Sequence, residues 1–445
     1  MNFLKKATLT FVASTVLLGG MLFADANDNS KKWATSWTGS VQGPYPVGNP
    51  SAQPNMTFVF PAGQNGAKDQ SFRMIVKPNI WGEKARVRLT NALGAKAVTF
   101  ADVYAGLQLG SSGVVKGTNS PVTFNGKNSV TVEPGEFVWS DPIELKFVKE
   151  LKEEFLYGRN LAVSYHIVGE SGPMTWHAKA IVTSYATAPN TKSKGADVSE
   201  DAFPFATASW FFLDAVDMFV DKDTKVIVAF GDSITDGTAS TINGYDRWPD
   251  VLSRRANAIY GNKVSVVNAG IGGNQIAGPA EYSAQKPFPG GPSASTRYVR
   301  DVLGLSGVST LIWFEGINDF SKNGNASVAK VIDAMTKTIK DIRAKNPNIK
   351  IFGATVVSAF NAPSKHHGSQ EQDDKRKEFN EFIRTSKLFD GFIDFDKVIT
   401  DETSGEMRAE FIPDNTVGSA GDKIHPNRLG YLKMGMSIDI KSLLK

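Results

Sequence analysis

The sequence predicts a chain in two parts: an antiparallel β-sandwich of jelly-roll type over residues 27–222, then an α/β domain with a parallel sheet over residues 223–445. Its length of 445 residues exceeds one ordinary domain. The first half carries short runs that alternate polar and apolar residues between turns containing Gly, Pro, Asn and Ser, the period-2 pattern of half-buried strands. The second half alternates continuous apolar runs with helical patterns, as a parallel sheet with helical crossovers requires.

Residues 1–26 have the pattern of a signal peptide. Lys5 and Lys6 form a basic start, Ala7 to Leu22 is apolar and small, and Ala24-Asp25-Ala26 is an A-x-A cleavage signal that places the cut after Ala26. The apolar run is short for a membrane span, and Gly19-Gly20 interrupts it. The expected location is secreted or periplasmic, with no membrane span. Removing this segment leaves 47 basic against 44 acidic residues, a net +3, too weak a charge to argue for nucleic acid. Cysteine is absent, which excludes disulfides, thiolate metal sites and a cysteine nucleophile. Nothing in the sequence sets an oligomeric state.

In the first half, Ser71–Val76 and Ala85–Thr90 alternate cleanly, and the turn-like stretch 79–84 between them suggests a hairpin. Further strands are expected at 97–104, 129–132, 160–166 and 178–185, with a last one over 210–220. Trp33, Trp37 and Tyr45 read as staples of the mature N-terminus. His166 reads as a packed strand residue. Trp176-His177 follows a Gly-Pro turn and is more readily explained by packing than by a ligand.

In the second half, apolar runs at 226–230, 264–267, 310–314, 349–356 and 392–395 read as parallel strands. Helices are expected near 247–260, 294–303, 326–345, 371–386 and 428–443. The first run leads into Phe230-Gly231-Asp232-Ser233-Ile234-Thr235-Asp236-Gly237. Ser233 therefore sits where a strand ends at the edge of a parallel sheet, the edge where ligands bind. Gly-Asp-Ser alone is equally a turn and cap signal. Three more loops belong to the same half: Asn268-Ala269-Gly270-Ile271-Gly272-Gly273-Asn274, Glu315-Gly316-Ile317-Asn318-Asp319, and Asp422-Lys423-Ile424-His425-Pro426. The glycines of the first allow close backbone approach but lack dinucleotide and Walker spacings. A side-chain amide in the second is able to donate into a cleft. In the third, an acid three residues before a histidine can fix the imidazole tautomer.

Together these four segments resemble the SGNH, or GDSL-type, hydrolase family. Gly231-Asp232-Ser233 matches its first block, Gly273 its second, Gly316-x-Asn318-Asp319 its third and Asp422-x-x-His425 its fifth, in that order. The leading half, with Trp33–Trp37 and the Arg-x-Arg-Leu-Thr-Asn strand, looks like the β domain of secreted two-domain members. The resemblance implies a three-layer, flavodoxin-like α/β fold and a serine esterase acting through an acyl-enzyme. It implies Ser233 as nucleophile, His425 as base and Asp422 as its orienting carboxylate. The oxyanion donors it implies are the Ser233 and Gly273 N–H groups and the Asn318 amide; Gly272 is the close alternative to Gly273. A Gly-x-Ser-x-Gly elbow is absent. No cofactor and no metal is expected.

Secretion favours an extracellular ester. The substrate expected is a short-chain acyl ester, acetyl in type, carried on a carbohydrate or acylated polysaccharide. Within the same family the alternatives are a lipolytic or aryl esterase and a lysophospholipase. Outside it, they are a carbohydrate-binding protein with an inactive hydrolase domain and an acyl transferase. His366-His367 read as a solvated loop that shares the edge of the sheet. Arg247 reads either as a pin for loops near the cleft or as one arm of a structural ion pair.

Overall fold

The computed structural model describes residues 29–60, 66–412 and 421–445. The signal-peptide reading and its cut after Ala26 fall outside the described residues. No helix among those described is long and apolar enough to cross a membrane.

The leading region is antiparallel throughout. One sheet places Leu213–Asp221 between Lys31–Thr38 and Lys84–Thr90. A second places Lys68–Val76 between Ser184–Ala186 and Leu161–Glu170, which pairs in turn with Val98–Gly110. In a small third sheet, Thr175–His177 lies between Gly43–Pro44 and Trp210–Phe211. The expected hairpin between 71–76 and 85–90 does not form, because the two strands belong to different sheets. Both are flanked on two sides by other strands. Alternation tells which face of a strand is buried, not which strand lies beside it. The aromatic staples are in place: Trp33 packs on Phe219, Trp37 on Trp210 and Tyr45 on Trp176.

The second half holds a five-stranded parallel sheet. Numbered along the chain (Lys225–Gly231, Val264–Gly270, Val308–Phe314, Lys350–Ala354, Gly391–Ile393), its order is 2-1-3-4-5. Both faces of the first strand are covered. Val226, Val228 and Phe230 join a core with Met335, Ile339 and Phe379, whereas Ile227 and Ala229 join another with Trp248, Leu252 and Tyr431. This explains why the run is apolar without alternation. The helix Val328–Lys345 starts at Ser327, whose hydroxyl accepts the Lys330 N–H, and buries Val331, Met335, Ile339 and Ile342 along one stripe. The segment expected as one helix over 428–443 breaks instead at Ile438–Asp439 into Arg428–Ser437 and Ile440–Leu444, with Asp439 capping the second piece.

The two halves share a core, which runs from Ala34 and Trp37 to Val226 and Trp313. Polar contacts reinforce the junction. The Ser265 hydroxyl donates to Thr35 O, and Thr35 N–H to Ser306 O. Arg88 is buried between Asp214 and the Gly304 carbonyl.

Candidate active site

Sheet register decides where the site forms. Gly231 lies opposite Gly270 on one side and Phe314 on the other, so three strands end level and their loops leave from one edge. A side chain at Gly231 would run into the Phe314 carbonyl, so the close approach demands glycine here. The next residue, Asp232, caps a single helical turn, Ser233–Asp236, by accepting the Ile234 N–H at 3.0 Å. Gly237 ends the turn at φ +104°, in the left-handed region. Ser233 is thus the first helical residue, where its N–H has no intrahelical acceptor.

Ser233 Oγ lies 2.7 Å from His425 Nε2, and His425 Nδ1 lies 2.6 Å from Asp422 Oδ2. The other oxygen of Asp422 accepts the backbone N–H groups of His425 and Ile424 at 2.8 and 2.9 Å. The acid and the histidine are therefore locked in one turn. Burial pushes the Asp422 carboxyl up, but the ring hydrogen bond and charge of His425 and the two backbone bonds overcome it. The group is held well below the usual carboxylate range. An ionised Asp422 fixes the proton of His425 on Nδ1 and leaves Nε2 free to accept from the Ser233 hydroxyl.

The glycine loop adjoins the nucleophile turn through Asp236. The Gly272 N–H is taken up by Asp236 Oδ2 at 2.8 Å. The following N–H, that of Gly273, has no protein acceptor among the described residues. Gly273 adopts φ +82°, and a Cβ on it would lie 2.6 Å from Asn49 Nδ2. Asn318 Nδ2 donates one hydrogen to Asn274 O at 3.0 Å, which ties its loop to the glycine loop and leaves the second amide hydrogen unassigned.

The leading β region reaches this loop. Asn49 Nδ2 donates to Gly272 O at 2.8 Å. His177, buried, lies 3.1 Å from Asp236 Oδ1 through Nε2 and 2.6 Å from Ser40 O through Nδ1. A carboxylate and a carbonyl both need a proton from the ring. Burial pulls the His177 pKa down, but the Asp236 charge and hydrogen bond raise it above the ordinary value. Lys179 is only 5% exposed, and its Nζ donates to Thr238 Oγ1.

Sequence reasoning missed Asn49, Lys179, Asp236 and Arg297. Arg297 is buried over the Phe230 ring and donates to the carbonyls of Gly231 and Ala269 and to Asn274 Oδ1. One guanidinium thus fixes the ends of two strands. Asp236 lies inside the stretch Phe230–Gly237 that carries Gly-Asp-Ser; Asn49 and Lys179 carry no local signal, because their partners lie far away along the chain, and Arg297 shows only its i,i+4 spacing to Asp301. Beneath the site, burial pushes Asp232 up to about 7, Asp319 to about 6 and Glu315 to about 8.

His366 is exposed, as a solvated loop residue should be, but His367 is half-buried and its Nδ1 faces Gln372 Nε2 at 2.9 Å. Burial, and then the nearby His425 charge, pull its pKa down to about 4. Arg247 resolves as both readings at once: it pairs with Asp250 at 2.7 Å and reaches the Asp236 carbonyl at 3.4 Å. His166 is buried against Ser71. A small cavity is lined by the apolar Ile317, Phe320 and Ala359 together with the polar Gln372, Asp373 and Arg376; neither Ser233 nor Asn318 lines it. A second cavity lies at the junction of the halves, lined by Lys77, His177, Asp236, Arg247 and Asp250 together with Trp37, Trp210 and Tyr245. Its charged groups are paired with one another, which suits buried water better than an ester.

Fold and chemistry define a class, the carboxylic ester hydrolases built on a parallel sheet. Residues 229–433 match the model of the GDSL-like Lipase/Acylhydrolase family. No match is found among curated proteins. Among solved structures, the chain is similar to a carbohydrate acetylesterase from Sinorhizobium meliloti (14% identity over 48% of this chain and 95% of that one, TM-score 0.35). It is also similar to an aryl esterase from M. smegmatis (15%, 49% and 100%, TM-score 0.36) and a lipase/acylhydrolase from Enterococcus faecalis (22%, 48% and 92%, TM-score 0.35).

Proposed function

We propose that this protein is a secreted serine esterase that removes short acyl groups, acetyl in type, from carbohydrate through an acyl-enzyme. The observation that carries the proposal is the continuous chain of short hydrogen bonds Ser233–His425–Asp422. A serine hydroxyl is a weak nucleophile until a base takes its proton. His425 Nε2 accepts it as Ser233 Oγ bonds to the ester carbonyl carbon, and Asp422 stabilises the imidazolium. The carbonyl oxygen, now negative, is received by the N–H groups of Ser233 and Gly273 and the Asn318 amide. Gly273 is preferred to Gly272 because the Gly272 N–H is already engaged. His425 then hands its proton to the leaving alcohol. A water molecule, deprotonated by the same nitrogen, attacks the acyl-enzyme and releases the acid.

Supporting a small acyl group, Ser233 is only 6% exposed. We read the parallel-sheet half (223–445) as a three-layer flavodoxin-like domain and the leading half (27–222) as a jelly-roll sandwich. Limited proteolysis that never cuts near 222 would count against this boundary.

The test is hydrolysis of p-nitrophenyl acetate and of acetylated xylan by the wild type and by Ser233→Ala. The variant should fold normally and lose at least about a thousandfold in kcat. Unchanged turnover would remove the nucleophile assignment. Turnover of long-chain esters above acetate would overturn the acyl preference, and cleavage of the aryl ester alone would overturn the carbohydrate assignment.

A further inference from the structure

The most expensive group near the site belongs to the other half of the chain. Lys179 follows the short strand Thr175–His177 and is 5% exposed, yet no carboxylate lies within ion-pair distance of its ammonium among the described residues. Among the described residues its hydrogen-bond partner is a neutral hydroxyl, Thr238 Oγ1. A buried cation with a single neutral partner costs stability, and such groups persist where their charge is used. The location says how. A Cβ placed on Gly272 would lie 3.1 Å from Lys179 Cε and 3.2 Å from Nζ, so the lysine lies directly against the back of the glycine loop. Asn49 holds the carbonyl of that same residue, and Asp236, held by His177, takes its N–H. The Thr238 N–H in turn donates to Ser233 O, which links the ammonium to the nucleophile turn as well.

We propose that Lys179, supplied by the leading β region, is a positioning residue of the hydrolase: its unpaired ammonium sets the Gly272–Gly273 loop and supplies positive potential behind the oxyanion site. On this view the β region is part of the catalytic apparatus, not an attachment that merely gathers substrate. Asp236 and Asp422 are the acidic groups that act on the ammonium from the nucleophile turn and the histidine loop. Burial lowers the lysine's pKa from its ordinary value, and the two carboxylates oppose that shift without reversing it. In the reaction the cation takes up and gives up no proton. It favours the state in which the carbonyl oxygen carries negative charge, which the ground-state ester does not.

The proposal rests on the serine-esterase reading, and the experiment separates the two. Lys179→Met, Lys179→Gln and Thr238→Val are compared with the wild type and Ser233→Ala in the full chain. The measurements are kcat and KM for p-nitrophenyl acetate, inhibition by phenylboronic acid, which becomes a tetrahedral anion on the serine oxygen, and thermal unfolding. Lys179→Met should lower kcat about ten- to a hundredfold, leave KM within about threefold, and weaken boronate inhibition by the factor lost in kcat/KM. It should not lower Tm, because an uncompensated buried charge has been removed. Thr238→Val, which keeps the cation, should lose much less.

Unchanged kcat, or a fall in kcat with boronate inhibition intact, overturns the proposal. So does an equal loss in Thr238→Val, or collapse of the fold in both lysine variants, which would make the cation structural. Turnover by Ser233→Ala would instead sink the esterase reading itself.

Discussion

Asp236 Oδ2 receives the Gly272 N–H at 2.8 Å, and this single bond distinguishes two adjacent glycines. With one N–H engaged, the next along the loop, that of Gly273, is the one without a protein acceptor among the described residues. Asp236 Oδ1 meets His177 of the β region, so the loop is braced across the junction of the halves.

Weakening that brace should therefore lower the rate. Asp236→Asn keeps an acceptor for Gly272 but loses the charge facing His177; a fall in kcat of about tenfold with KM little changed is expected. Steady-state kinetics on p-nitrophenyl acetate check it. A change confined to KM would mean that the brace shapes ground-state binding instead.

Asn318→Ala removes a donor whose orientation is fixed by Asn274 O. Loss of one oxyanion donor typically costs ~3–4 kcal/mol of transition-state stabilisation, so kcat should fall about a hundred- to a thousandfold. The far-ultraviolet circular dichroism spectrum should stay as in the wild type, since the fixed bond to Asn274 is local.

The His177–Asp236 pair predicts a pH dependence of stability. Folding raises the His177 pKa above its ordinary 6.5, because Asp236 outweighs burial. A raised folded pKa contributes stability that is complete below the unfolded value and is lost as pH rises through the folded one. The urea midpoint of the wild type should fall from pH 6 upward, and Asp236→Asn should flatten that fall. Parallel slopes in the two proteins would exclude the pair as its source.

Glu315 adds to the same slope for a different reason. Burial, and then the neighbouring Asp232 and Asp319 charges, raise its carboxyl to about 8 from 4.5, while Trp313 Nε1 donates to one of its oxygens at 2.9 Å. A raised carboxyl pKa favours the folded state below 4.5, and that stability is lost as pH climbs towards about 8. Glu315→Gln cannot ionise. Relative to the wild type, it should gain stability between pH 5 and pH 8 by on the order of a few kcal/mol, read from urea unfolding at both values. An unchanged difference would show that the buried carboxyl is ionised throughout.

Much of this was legible in the linear order of residues. The run Val226–Phe230 is apolar on both faces because two cores flank it, and its end at Gly231 put Ser233 at a sheet edge. Asp422 and His425 sit in one turn, so their spacing alone told of their bond. Short-range geometry of this kind is carried by spacing. The hairpin expected between 71–76 and 85–90 failed because alternation specifies a face and not a neighbour. The break at Ile438–Asp439 was hidden because local propensity continued through it.

The sequence by itself determined the class of fold in each half, the edge that carries Ser233, and the residue types able to perform acyl transfer. Only the tertiary structure decided which glycine N–H is free, that Asn49, His177 and Lys179 press on that loop from the other half, and that Arg297 ties two strand ends together. The physical reason is range. Periodicity and capping act over a few residues, whereas a hydrogen bond between residues 49 and 272 exists only after two sheets have packed into one core.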